Sequence, residues 1–261
     1  MGHFYSKEGR PHFDLAPREA KARGLLYSVT EILRVLHSQG LEMWKINSAI
    51  EYCFKNPVTE LDEETDLQTY KKMVRGGMYD DSATALGTKI HDEIEHILRD
   101  GRALEDTPKD LIKYVQPCIE YFMSKKFKII DIEQIVVNED EGYAGTADVV
   151  AQTKNGQDFI MDWKSTTTIP TKPYYTQKLQ IGAYAVATFG EQAVKDHQVW
   201  GANAYVSTRD VWKRGDQKGQ AKFKVHSYRP EEIAELYEQF KTVCALWRII
   251  EDYDPRNHGD N

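Results

Sequence analysis

The chain is poor in cysteine and has no long apolar run. Its three cysteines, Cys53, Cys118 and Cys244, lie far apart, and none belongs to a C-x-x-C pair. That spacing argues against a disulfide framework and against a zinc or iron–sulfur site made of cysteines; it reads as small buried hydrophobes. No apolar stretch approaches the ~20 residues needed to cross a bilayer, and residues 1–13 lack the apolar core of a secretory signal. A soluble, intracellular protein without a membrane partner is expected. Internal repeats and low-complexity tracts are absent too. Basic residues are the minority, 34 Lys and Arg against 41 Asp and Glu, for a net charge of -7. This argues against a general nucleic-acid coat protein, but it leaves room for a local basic patch beside functional carboxylates. What is there is globular: 261 residues, 41% hydrophobic and 29% charged. That is enough for one large domain or a core domain with a helical elaboration.

Residues 1–25 are polar and read as an irregular lead-in. Ser28 and Glu31 have the spacing of a capping box, so a helix is expected from there to about Leu36. Gly40 precedes a second helical stretch that Pro57 ends. Residues 59–67 are acidic, and 68–76, carrying Lys71, Lys72 and Arg75, fit a helix. From Ser82 to Arg99 the residues Leu86, Ile90, Ile94, Ile97 and Leu98 make one apolar face, and Gly101 stops it. Another helix is expected from Pro108 to Lys126. The period then changes: three β-rich runs separated by turn signals give two antiparallel hairpins. Pro173 opens a helix, two further strands follow, and a last helix starts after Pro230 and runs to about Glu251. The order predicts an α/β core, a central mixed sheet flanked by helices, behind an N-terminal helical region. The expected division is 1–80 for the lead-in and helical region, 81–255 for the core and 256–261 for a tail.

Within the core, Asp162 and Lys164 are two apart in a strand and face the same way. Asp148 ends the G-T-A-D of the preceding strand, and the turn through Lys154, Asn155 and Gly156 can bring it beside Asp162. Two carboxylates and an ammonium suit a hydrolytic Mg2+ or Mn2+ site. The alternative is an exposed salt bridge on a hairpin. Against it stand the apolar neighbours Phe159, Ile160, Met161 and Trp163, among which a charge is costly. His91 lies at the edge of the apolar stripe of the Ser82–Arg99 helix. A lone histidine is more often packed or exposed than a ligand, but this one can point towards the strand tips. Glu95, four residues on, can support a metal ligand, touch substrate or be plain solvated charge. Gln180 and Tyr184 share a helix face and can donate hydrogen bonds to a phosphate, although Tyr184 also reads as core.

Four motifs stand in order: Gly87 to His91 (G-x-x-x-H), Gly145 to Asp148 (G-T-x-D), Asp162 to Ser165 (D-W-K-S) and Gln180 to Tyr184 (Q-x-x-x-Y). Each is weak alone; together, over roughly residues 85–190, they resemble the RecB-like branch of the PD-(D/E)XK nucleases. The segment from Ser28 to Leu36, with Leu41 to Lys45 after it, is similar to phage-encoded exonucleases and to the mitochondrial genome maintenance exonucleases. The resemblance implies a restriction-endonuclease-like core and a DNA exonuclease, phage-encoded, serving recombination, replication or DNA degradation. It implies His91, Asp148, Asp162 and the Trp163 carbonyl as metal ligands and Lys164 as the catalytic lysine, with Gln180 and Tyr184 in the motif that follows. It also implies DNA with free ends or single strands as partner, a single-strand-binding or recombination protein beside it, and the cytoplasm of a bacterial host. Some relatives in that superfamily hold an iron–sulfur cluster on four cysteines; three dispersed cysteines cannot, so none is expected. No helicase motif is present. An endonuclease or flap nuclease, or an inactive DNA-binding module, is the rival reading.

For DNA contact, residues 209–224 gather Arg209, Lys213, Arg214, Lys218, Lys222 and Lys224 around Trp212, against Asp210 and Asp216. A basic loop with an aromatic suits a single strand, and a solvated hairpin loop fits equally. Lys125, Lys126 and Lys128 form a weaker second candidate.

Overall fold

The computed structural model describes residues 3–36, 39–57, 64–77, 81–215 and 217–257. Most of the acidic run at 59–67, Asp216 of the basic loop and residues 258–261 of the expected tail lie outside these. Residues 1–36 and 87–261 form one compact unit and residues 37–86 a second.

The first unit opens with short strands β1 (Phe4–Tyr5) and β2 (Pro11–His12), helix α1 (Pro17–Ala22) and strand β3 (Leu26–Ser28). This corrects the irregular lead-in expected for residues 1–25. Strands of two or three residues carry no periodic signal, yet Phe4, Tyr5, Leu26 and Tyr27 are buried, and β1 pairs antiparallel with β2 and with β3. Ser28 caps α2 (Val29–Ile32) by accepting the Glu31 N–H at 3.2 Å. The Glu31 side chain turns to Arg34 instead of reaching back, so only half of the capping box forms. The helix expected to reach Leu36 gives way to a 3-10 turn after one turn.

The second unit holds α3 (Gln39–Lys55) and α4 (Glu64–Gly77), where the Tyr70 hydroxyl donates to the Asn56 carbonyl at 3.2 Å. Helix α5 (Asp81–Asp100) follows, and its residues from Gly87 onward belong to the first unit.

The rest of the first unit runs α6 (Ile112–Lys125), β4 (Lys128–Asn138), β5 (Tyr143–Gln152), β6 (Asp158–Thr166), α7 (Tyr175–Phe189), α8 (Glu191–Lys195), β7 (Val199–Val211), β8 (Ala221–Tyr228) and α9 (Pro230–Glu251). Two starts are later than expected: Pro108–Leu111 is a turn ahead of α6, and α7 begins at Tyr175 rather than Pro173. The sheet order is β2-β1-β3-β5-β6-β7-β8, with β4 on the other edge of β5. Strand β5 is antiparallel to β4 and β6 and parallel to β3; β6 is parallel to β7, and β7 antiparallel to β8. The fold is therefore α/β, a central mixed sheet flanked by helices. The β6–β7 pair is parallel because α7 and α8 make the crossover that a tight turn cannot.

Helices α7 and α9 pack on one another and on one sheet face, burying Leu179, Ile181, Ile233 and Phe240. Gly182 permits the approach: a Cβ there would lie 2.8 Å from the Tyr237 backbone nitrogen. Another aromatic cluster runs from α6 to the sheet, with the Phe127 ring stacked on Phe159 at 4.5 Å and 4.9 Å from Phe122. Among the described residues no helix is long and apolar enough to cross a membrane.

Candidate active site

Strands β5 and β6 are paired only from Gln152–Asp158 to Val149–Met161. Beyond that the start of β5 pairs with β3, through Tyr143 and Ala144. The two strands thus part at Asp148 and Asp162. The Trp163 N–H, next along β6, donates to Asp148 Oδ2 at 2.7 Å. A side-chain carboxylate takes the place of a missing ladder partner.

Across the other edge of β5, the β4 register runs Ile132–Val149 and Gln134–Ala147 and skips the rung between them. The residue opposite Asp148 is Glu133, whose φ of +52° puts it in the left-handed region. That backbone is costly for a glutamate. The alternation of β5 breaks at the same place, because Ala147 and Val150 both enter the core under α7 and α9. The irregular rung turns Glu133 and Asp148 towards the fork.

Helix α5 brings His91. Ile90 and Ile94 are buried beside it, and the helix comes close because Gly87 has no side chain: a Cβ would lie 2.5 Å from Ser165 Oγ. His91 Nδ1 is 3.9 Å from Asp148 Oδ2. One ligand atom each from His91, Glu133 and Asp148 lies within 4.8 Å of the others. Asp162 adjoins this group but is engaged. Its Oδ1 accepts from Lys164 Nζ at 2.7 Å and its Oδ2 from Asn203 Nδ2 at 3.2 Å. Asn203 stands beside Asp162 in the β6–β7 ladder and is fixed by the Tyr228 hydroxyl at 2.7 Å.

The fork carries more negative charge than its one lysine balances. Asp148 is pushed well above the usual carboxylate range by burial and by Asp162, with Lys164 opposing. Burial, then Glu95, lifts Glu133 to about 6 against the pull of Arg99. Burial works to lower Lys164, but Asp162 and Asp148 outweigh it and the ammonium is held more firmly than usual. His91 is lowered by burial and by Lys164, so its ring is neutral and can be a ligand. A neutral imidazole converging with crowded carboxylates fits a divalent cation, which would relieve their repulsion.

The other residues singled out from sequence stand as follows. Glu95 is ion-paired with Arg99, which also donates to the Ile132 carbonyl beside Glu133. Trp163 is buried, its ring 6.2 Å from Phe223. Gln180 and Tyr184 are both buried and bonded to each other, Nε2 to hydroxyl at 3.0 Å. Tyr184 lies behind the fork, where a Cβ on Gly145 would come 2.6 Å from its ring. Burial raises the phenol, so it stays a donor. The basic loop is separate: Lys213, Arg214 and Lys218 are exposed at the β7–β8 turn. Arg209 bonds Thr168 and Asp210, and Lys222 Nζ is 5.9 Å from the Trp212 ring. Sequence reasoning missed Glu133 and Asn203. Both are strand residues outside any motif, and only strand register assigns them to the site.

No family model matches the chain, and no curated protein matches it. Among solved structures, a protein of Eubacterium rectale assigned as an exonuclease is 12% identical, with a TM-score of 0.46 over 92% of this chain and 88% of its own. The protein SSO0001 is also 12% identical, with a TM-score of 0.30 over 80% and 88%. Neither likeness is close enough to assign a family or a chemistry.

Proposed function

We propose that the chain is a divalent-metal-dependent deoxyribonuclease of the PD-(D/E)XK class, an exonuclease acting on DNA ends or single strands, with its catalytic core within residues 81–255. The observation that carries this is the fork. It sets Asp148 and Asp162 side by side, with Lys164 Nζ 2.7 Å from Asp162 and a His91–Glu133–Asp148 ligand group next to them. His91, Glu133 and Asp148 would hold Mg2+ or Mn2+, with Asp162 and the Trp163 carbonyl as the further ligands that the family resemblance implies. The ion would polarise a phosphoryl oxygen and acidify a bound water.

The chain's own groups do the rest. Lys164 keeps its proton, because Asp162 and Asp148 favour the ammonium over burial. In that state it would offset negative charge that builds on the phosphoryl oxygens. Asn203 and Tyr228 fix Asp162 from behind, so its carboxylate does not swing when Lys164 turns to substrate. The Gln180–Tyr184 pair supplies hydrogen-bond donors behind the fork, and Trp163 and the α6 aromatics keep water from the back of β6.

Substrate capture by the exposed Arg209, Trp212, Lys213, Arg214 and Lys218 is part of the same reading. The test is digestion of end-labelled single- and double-stranded oligonucleotides, with Mg2+, Mn2+ or excess EDTA. Release of mononucleotides or short fragments from ends, lost in EDTA and in Asp162→Asn, is expected. Cleavage that survives chelation rejects the reading. Cutting of closed circular single strands would move it to an endonuclease.

A further inference from the structure

A second concave surface lies away from the fork. The end of α6, the β5–β6 turn and the starts of β6 and β7 enclose a groove of about 530 Å³, within the range of small-ligand sites. Among the described residues its charged lining is Lys125, Lys126 and Lys154, with no carboxylate. In a chain of net charge -7, such an all-cationic lining is not a sample of the average surface. None of the three is in an ion pair among the described residues. Lys126 holds the left-handed position that ends α6, at φ +54°, where glycine or asparagine is the usual occupant.

The groove is aromatic as well as basic. Phe127 and Trp200 are partly open in it, above buried Phe159. The Trp200 indole nitrogen is buried with no hydrogen-bond partner among the described residues. Cations without carboxylates among the described lining residues and two partly exposed rings describe one kind of ligand, a polyanion that carries flat rings.

We propose that this groove binds a single strand of nucleic acid, with phosphates on Lys125, Lys126 and Lys154 and bases against Phe127 and Trp200. A duplex fits less well, since its base faces are closed to an aromatic side chain. The groove shares Tyr121 and Ser124 with a smaller recess of about 280 Å³ that Trp212 lines. The strand's path therefore runs on to the basic β7–β8 loop. Phe159 precedes Asp162 on β6 by roughly 10 Å of strand, so the groove is a holding site and not the place of cleavage. The inference rests on the nuclease reading only in taking the strand to be DNA.

The test uses the full chain in excess EDTA, which withholds the ion that the proposed cleavage needs. Fluorescence anisotropy of a labelled oligo-dT is followed against salt for the wild type and for the triple variant Lys125→Gln, Lys126→Gln, Lys154→Gln. A control variant loses the same charge at exposed Lys55, Lys109 and Lys195. The groove variant should bind at least tenfold more weakly, and its slope of log affinity against log salt should fall by about 2, at ~0.7 for each phosphate left without its lysine. The control should lose much less. Should the triple variant not fold, Lys154→Gln alone, on the exposed turn, should lower the slope by about 0.7. No binding of oligo-dT by the wild type would overturn the inference. So would equal losses in groove and control variants, or displacement of oligo-dT as readily by a duplex of equal length. Binding that follows the groove in a chain with no cleavage in Mg2+ or Mn2+ would sink the nuclease reading and leave this one standing.

Discussion

At the fork, Asp162 is 1% exposed and both its oxygens accept hydrogen bonds. At the tip of the β7–β8 hairpin, Lys213, Arg214 and Lys218 stand in solvent. The two regions carry opposite charge and obey the same Coulomb law in different media. Buried charges interact strongly, repel at close range and shift each other's protonation. Exposed ones are screened and act as a diffuse field. Changes at the fork should therefore be nearly all-or-none and insensitive to salt. Changes at the hairpin should be graded and salt-dependent.

The sharpest break of that contrast is Asp162→Asn. It should lower cleavage by about 10³-fold or more, as for loss of a strong electrostatic group at the reacting centre, with the far-ultraviolet circular dichroism unchanged. A variant that retains a tenth of wild-type turnover would make Asp162 a structural partner of Lys164 and nothing else. Next is Lys164→Ala, expected to cost about 10² in turnover while metal affinity, read by calorimetry, changes little. Near-normal turnover would return Lys164 to the status of a salt-bridge partner.

The third effect is on stability. Glu133 has its proton affinity raised in the fold, from 4.5 to about 6. The folded chain holds that proton longer than the unfolded chain, so metal-free stability should fall as pH rises from 4.5 to about 6. The loss is below about 2 kcal/mol from this group, because solvent screens a carboxylate that is only part-buried. Melting in EDTA across that window should show the fall, and Glu133→Gln should flatten it. Identical curves for the wild type and Glu133→Gln would refute the crowding of carboxylates at the fork. Adding Mn2+ should raise the melting temperature of the wild type more than that of Glu133→Gln.

The mildest effects belong to the hairpin. Replacing Lys213, Arg214 and Lys218 together by Gln should reduce the salt slope of DNA binding by roughly 0.7 for each phosphate no longer neutralised. Turnover at saturating substrate should move little. Trp212 is only 39% exposed, so Trp212→Ala should cost about 1 kcal/mol, the low end for base stacking. An unchanged slope in the triple variant would make the loop plain solvated charge.

How much of this was legible in the sequence depended on what kind of feature it was. The helix carrying His91 and the hairpins carrying Asp148 and Asp162 announce themselves by periodicity and turn residues. So does the final helix, which runs Pro230–Glu251 and so takes in the proline it was expected to follow. The role of Gly87 and Gly145 in letting Ser165 and Tyr184 approach was present only as motif letters; the close approaches supply the reason. Glu133 was not legible, because its place at the site depends on a left-handed residue opposite Asp148 and not on composition. Strands β1, β2 and β3 were not legible either. Each is too short to alternate, and each exists because its neighbours in the sheet, 100 or more residues along the chain in the case of the β3–β5 pair, offer free backbone groups.

The bond from the Trp163 amide to the Asp148 carboxylate makes one backbone hydrogen a gauge of the site. That amide is held by a side chain and not by a neighbouring strand, so its protection from exchange with solvent depends on where Asp148 points. Exchange at Trp163 should change on adding Mg2+ while Met161, inside the regular ladder, keeps its rate. A ligand's arrival would thus be written into the strand itself, readable by nuclear magnetic resonance without any substrate.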